Sequence, residues 1–525
     1  MAKQKLSKAG SSANQASVSS SPSFFKKNQT YFHIGFIAIV FYLIYSWIYN
    51  PEFVDLNGDN FAYYVLGKVL SEGKGYINVS SVIPLPQTHF PPGFPVIIAA
   101  CIKLFNADMN GISVLNGLFY FISIVIFYFT MNKIQPSRSL SFVVSIFLVF
   151  NVLLLGSAMV CMSEIPFILF STIGVFFLVR SSSTDKLYWQ IVLAALFFAA
   201  SYYTRSIGIG LFGALVIYLL FSKRWIDFGV AIGTYVIAVI PWVLRGKSTG
   251  GSYSGQFMQV NPYKPELGNL TLTTFIERIQ NNLVRYLSLD IPKSVFNLDP
   301  PSEVTPTSFW LIGIGVIILA FWGIYKLKDF KMFFIAYLLA VGGILLVWPD
   351  AFGGLRFIES VLPILLFLLA FGITQLINLG FQKLSLNFSP YWLLIALIFS
   401  IGGLEELKEY FNRPLQANYR NYFELAKWAK ANTPPDAVFS ARKPDMFRLY
   451  SERLTIGDKP SLNDTVVLDF FRENGVDYVV LEQLGFSSTA KYLYPAIQKN
   501  PDKFPVVSQL PNPDTYILKF IEGDR

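Results

Sequence analysis

Eleven charge-poor apolar runs, each of the length that carries a helix across a bilayer, constrain this chain more than any other feature. They lie near 31–49, 111–132, 139–158, 163–179, 187–203, 206–222, 228–244, 307–325, 332–349, 357–380 and 387–404. Hydrocarbon offers the backbone no water to bond, so such runs fold as helices. The chain is 53% hydrophobic and 14% charged, whereas a soluble domain is about a quarter charged. A soluble multidomain enzyme is thereby excluded as the whole molecule, and so is disorder as its main state.

The charges are uneven. Residues 405–525 hold 16 Lys+Arg and 17 Asp+Glu, against 26 and 16 in residues 1–404. We therefore expect a membrane body over 31–404 and an ordinary soluble domain over 405–525. Residues 1–30 carry five lysines and no acid, which predicts a disordered cytoplasmic tail, uncleaved because a full span follows. The positive charge belongs to the membrane part and implies no nucleic-acid partner. With the N-terminus inside, the inner segments hold 15 basic residues against the acids Asp185, Asp227 and Asp329. That bias predicts a cytoplasmic N-terminus and, after an odd number of spans, an extracytoplasmic C-terminal domain. Cys101 and Cys161 sit in apolar runs without metal-ligand spacing and read as packing residues.

Two outer loops are long, about 50–110 and 246–305, and loops of this length are usually functional. In the first, Asp59 to Glu72 has an apolar stripe of Phe61, Val65 and Val69 beside Ala62, Leu66 and Leu70. It predicts an amphipathic helix on the outer membrane surface, stopped by Gly73. His89-Phe90-Pro91-Pro92-Gly93-Phe94-Pro95 then leads a run too short to span, predicted to be a second interfacial helix. In the soluble domain, Tyr422–Ala431 reads as helix. Ala437–Ser440, Val476–Leu481 and Tyr516–Ile521 read as strands, giving a small α/β unit.

Ionisable residues at the outer ends of spans are few enough to weigh singly. Asp55 and Asp59 follow the first span, Glu164 opens the fourth, Arg205 separates the fifth and sixth, and Arg356 opens the tenth. Charges at such depth are costly and tend to be functional. Each also has a plainer role. Asp59 could be a helix N-cap, Glu164 a water-boundary residue, the arginines snorkelling residues, and His89 a turn residue.

The order of these features resembles a family. An acid after the first span opens a helix ending in Glu72-Gly73-Lys74-Gly75-Tyr76. A Pro-Pro-Gly-Phe-Pro turn follows, an acid opens span four, an Arg follows span five, and Arg356-Phe357 opens a late span. Trp242–Arg285, with Asn261-Pro262-Tyr263 and Phe275-Ile276-Glu277-Arg278, and Ser440-Ala441-Arg442-Lys443-Pro444 have the same look. The chain is similar to GT-C membrane glycosyltransferases, closest to bacterial relatives of dolichyl-phosphate-mannose protein mannosyltransferases and of the lipid A aminoarabinose transferase.

The resemblance implies a GT-C fold and sugar transfer from a polyprenyl-phosphate donor to an acceptor protein, lipid or glycan on the outer face. The setting it implies is a multi-pass protein of a bacterial inner membrane. It makes Asp59 the base and Glu164 its partner acid. Many relatives have Asp-Glu where this chain has Asp59-Asn60. Where the aminoarabinose transferase has a phosphate-binding Lys, this chain has Pro91. Donor phosphate then falls to Arg205 and Arg356. Secondary site candidates are Asp55, the next acid in line for the base, together with His89 and Arg278. The chemistry agrees: a carboxylate deprotonates the acceptor hydroxyl, and Arg holds the leaving phosphate. No cofactor is required, although a divalent metal could bridge Asp59, Glu164 and phosphate. A transporter or flippase of a lipid-linked saccharide competes, but such proteins show two related halves, and no repeat is evident here. A non-catalytic membrane receptor would leave the charged residues without reason to coincide.

Overall fold

The computed structural model describes residues 24–83, 85–182, 188–248, 255, 257–301, 306–383, 385–386 and 388–521. Residues 1–23 of the expected tail, and Asp185 and Lys186 of one inner loop, lie outside these. The first helix already begins at Phe24.

Every apolar run is helical. In chain order the membrane part comprises α1 (Phe24–Ile48), α2 (Gly58–Ser71), α3 (Gly93–Phe105), α4 (Met109–Ile134), α5 (Arg138–Val149), α6 (Val152–Ser157), α7 (Glu164–Ser181) and α8 (Tyr188–Thr204). It continues through α9 (Ile209–Phe221), α10 (Trp225–Ser248), α11 (Leu272–Arg285), α12 (Ile291–Phe296), α13 (Thr307–Lys326), α14 (Lys331–Val347), α15 (Leu362–Lys383) and α16 (Ile398–Phe411). A 3₁₀ segment, Pro390–Leu397, runs directly into α16. Seven of these helical stretches are long and apolar enough to cross a membrane, among the described residues. The other expected spans are shorter, and one is broken. In that one Asn151 separates α5 from α6. Its carboxamide accepts from Leu154 N at 3.0 Å and donates to Ser294 O at 2.8 Å, so a polar side chain restarts the helix in mid-run. The chain is thus an α-helical integral membrane protein whose core is aromatic and aliphatic, with Tyr120, Phe167, Phe198, Tyr337 and Phe367 fully buried.

The soluble part forms the expected small α/β unit. Strands β1 (Val438–Ser440), β2 (Leu454–Ile456) and β3 (Tyr478–Leu481) are parallel in the order β2-β1-β3. The antiparallel pair β4 (Val506–Leu510) and β5 (Thr515–Lys519) extends the sheet through β5. Helix α17 (Ala417–Asn432) and helix α18 (Pro444–Ser451) pack together beside it.

The first outer loop differs from expectation in one respect. The apolar stripe of α2 faces protein, not lipid. Phe61 is buried in one cluster with Tyr419, Tyr422, Phe423 and Phe447 of the soluble domain. Tyr63 packs on the other side against Phe94 and Ile98 of α3. With apolar residues on both sides of the helix, burial between two protein layers removes more surface from water than one face laid on a bilayer. Gly93 opens α3 against the end of α8. A Cβ there would stand 2.6 Å from the Tyr203 carbonyl oxygen, so this turn tolerates only glycine. That contact sets α3 beside the chain leading to Arg205.

Candidate active site

The N-terminal ends of α2 and α7, the C-terminal end of α8 and the 3₁₀ turn Leu355–Ser360 converge on two ion pairs. Asp59 lies in the first turn of α2, and its Oδ2 is 2.7 Å from Nη1 of Arg356. Each of these side chains keeps about a third of its surface exposed. Glu164 opens α7, where a carboxylate favours the helix N-terminus. It is ion-paired to Arg205, with only 2% of Glu164 and 14% of Arg205 exposed. One pair therefore faces solvent and the other is sealed behind it.

Phe357 joins them. The Arg356 Cζ is 5.2 Å and the Arg205 Cζ 5.9 Å from the centroid of its ring, so both guanidinium groups flank one aromatic side chain. A hydroxyl relay lies alongside. Arg205 Nη1 donates to Ser163 Oγ at 3.4 Å, and Ser163 Oγ donates to the Tyr63 hydroxyl at 3.1 Å. Tyr63 follows Asp59 by four residues and so shares its face of α2.

The structure brings together Asp59, Glu164, Arg205 and Arg356, the four principal candidates, although none is near another in sequence. It revises the plainer readings of three of them. Helix α2 starts at Gly58 with Asn57 in the N-cap position, so Asp59 does not cap it. Each arginine is committed to an acid, not extended toward lipid head groups. The secondary candidates divide. Asp55 is half-buried, and its Oδ1 accepts the Asn57 N–H at 3.2 Å. Burial pushes its carboxyl up to about 6; Glu164 and Asp59 add to the rise, while the Asn57 N–H and Arg356 oppose it. His89 stacks edge-on with Phe90, and burial lowers its pKa while Asp59 acts against that shift. Arg278 is spent on backbone: it donates to the carbonyls of Phe257 at 3.0 Å, Gln259 at 2.6 Å and Val260 at 3.4 Å, pinning the second outer loop.

Three contributors escaped the sequence reading. Glu359, 1% exposed, accepts from Ser157 Oγ at 2.8 Å, and its Oε2 is buried without a hydrogen-bond partner. An acid inside the apolar run 357–380 was an available signal for it. Ser163 and Tyr63 carried none, because hydroxyl residues at span ends are commonplace. As for metal, Asp59 and Glu164 face different arginines, and no group of three or more His, Cys, Asp or Glu is placed to hold an ion among the described residues.

A family model described as dolichyl-phosphate-mannose-protein mannosyltransferase matches residues 89–244, a stretch that includes Glu164 and Arg205 but neither Asp59 nor Arg356. No curated protein matches. Solved structures with similar folds include an oligosaccharyltransferase of Archaeoglobus fulgidus tethered to an acceptor peptide. Its TM-score is 0.59 at 11% identity, over 95% of this chain and 75% of that one. A second structure of that enzyme, in complex with Zn and sulfate, has a TM-score of 0.57 at 11% identity over 85% and 67%. ArnT from Cupriavidus metallidurans bound to undecaprenyl phosphate has a TM-score of 0.58 at 11% identity, over 95% of this chain and 99% of that chain. The fold of this chain is the GT-C fold.

Proposed function

We propose that this protein transfers a sugar from a polyprenyl-phosphate donor to an acceptor hydroxyl at the outer boundary of the membrane. The observation that carries the reading is the solvent-facing Asp59–Arg356 pair backed by the buried Glu164–Arg205 pair. A base and a phosphate-binding cation must stand side by side where a lipid-tailed donor meets a polar acceptor. The GT-C fold, the mannosyltransferase family match, and a similar structure bound to undecaprenyl phosphate point the same way.

In the proposed reaction the acceptor O–H proton passes to Asp59. The acceptor oxygen forms the new bond to the anomeric carbon as the bond from that carbon to the phosphate oxygen breaks. The departing polyprenyl phosphate keeps the electron pair, and Arg356 turns from Asp59 to hold its charge. One displacement inverts the anomeric configuration. Arg205, held by Glu164, lies against the Phe357 ring that Arg356 also contacts. We place the N-terminus in the cytoplasm and residues 405–525 outside it, in a bacterial inner membrane, on the basis of the basic inner loops.

The test is transfer by purified protein from a panel of polyprenyl-phosphate sugars, with and without added divalent cation. Asp59→Asn should lower turnover by about 10²–10⁴-fold with the fold intact. Full activity in that variant would remove Asp59 as the base. Translocation of a lipid-linked sugar across vesicles without transfer would favour the flippase reading.

A further inference from the structure

The arginines of the two ion pairs are already matched by Asp59 and Glu164. A phosphate arriving at the site would profit from cations that are not. The soluble domain supplies two. The turn after β1 carries Arg442 and Lys443, which lie side by side over one ring: Arg442 Cζ is 4.7 Å and Lys443 Nζ 4.9 Å from the centroid of Phe486. Both side chains are half-buried. Neither guanidinium nor ammonium makes a hydrogen bond or ion pair with any described residue, and Arg442 Nε is buried without a partner. Buried polar groups are normally satisfied, so an unsatisfied one beside a second free cation calls for an explanation.

Their position supplies it. Lys443 reaches the start of α2, where a Cβ on Gly58 would stand 2.7 Å from its Nζ. The lysine ammonium therefore lies against the first residue of α2, next to Asp59. Burial and the neighbouring Arg442 charge lower the Lys443 pKa, while Asp59, Asp445 and Asp55 act against that shift. Asp445 is itself engaged by Ser80, whose Oγ donates to it at 2.8 Å. Arg442 stands beside Lys443 over the same Phe486 ring, so the two cations lie together next to the first turn of α2.

We propose that Arg442 and Lys443 form an oxyanion-binding subsite, carried by the soluble domain, that receives a phosphate group of the substrate at the mouth of the site. The inference rests on the transfer reading and extends it. The soluble domain would be part of the binding site, taking a phosphate either as a lipid head group or on a soluble molecule.

Binding to the purified full-length protein in detergent tests it, with undecaprenyl phosphate and inorganic pyrophosphate as separate probes. Lys443→Met and Arg442→Gln should each weaken binding about tenfold or more, the loss of one charge-assisted contact. Lys443→Arg should stay close to wild type. A loss confined to undecaprenyl phosphate assigns the subsite to the lipid head group. An equal loss for both probes assigns it to phosphate from either source. If Lys443→Met does not fold, Arg442→Gln carries the test, and its binding should depend less on salt than wild type. Wild-type affinity in the folded variants would overturn the inference and leave the transfer reading standing. A wild-type protein that binds neither probe would overturn both.

Discussion

The two ion pairs differ in burial, and that difference predicts opposite consequences for two similar substitutions. Glu164 is 2% exposed and its partner Arg205 14%. Removing Arg205 strands a carboxylate away from water, and breaking a buried pair in this way costs about 3–5 kcal/mol. Asp59 and Arg356 each keep about a third of their surface in solvent, so water can replace the lost partner. Such a pair contributes at most about 1 kcal/mol. Arg205→Ala should therefore destabilise the protein severely and Arg356→Ala hardly at all. The double variant Glu164→Gln with Arg205→Met should recover most of the loss, because no charge is left unpaired. Unfolding by denaturing detergent, followed by tryptophan fluorescence, gives the order. Activity should reverse it: Arg356→Ala, though stable, should weaken donor binding by about 1.5–3 kcal/mol. Equal stability of the two single variants, or no recovery in the double variant, would refute the distinction between a structural pair and a working one.

Other outcomes follow from particular residues. The carboxyl of Asp55 is pushed up to about 6, so the folded state binds its proton more tightly than the unfolded chain. Stability on this account falls as pH rises through about 4 to 6, and Asp55→Asn should stabilise by about 1–3 kcal/mol at pH 7 and little at pH 4, read from unfolding at both values. Gly93→Ala puts a methyl group against the Tyr203 carbonyl and should cost about 1–3 kcal/mol, lowering the thermal midpoint and shifting the segment that holds Arg205. In a cysteine-free background, a Cys at the exposed position 487 should react with an impermeant reagent added to intact cells and a Cys at the exposed position 328 should not; the converse would invert the proposed topology.

The membrane body was legible because a run of apolar residues has few other ways to fold, and each of the eleven runs is helical. Helix lengths were less so, since Asn151 breaks a run by hydrogen bonds to partners that composition does not reveal. In the soluble domain the buried strands β1, β3 and β5 announced themselves. Strand β2 is the short Leu454-Thr455-Ile456 set between Arg453 and Gly457-Asp458, and β4 is a largely exposed edge with no apolar alternation, so neither left a pattern to find. The acids and arginines of the site could be singled out by their cost in an apolar setting. Which acid meets which arginine could not, because Asp59 and Arg356 are brought together only by the packing of distant segments.

The burial of Phe61 has a consequence for how the protein is made. Helix α2, which carries Asp59, is synthesised just after the first span, yet its apolar side is covered by Tyr422, Phe423 and Phe447, about 350 residues later in the chain. Domains fold as units, in order of synthesis. During most of translation the helix bearing Asp59 therefore has one face uncovered and its first turn without Lys443. A nascent or truncated chain can hold the membrane helices and still lack the cover over α2 and the approach of Lys443, so the surroundings of Asp59 are completed only when residues 417–521 dock.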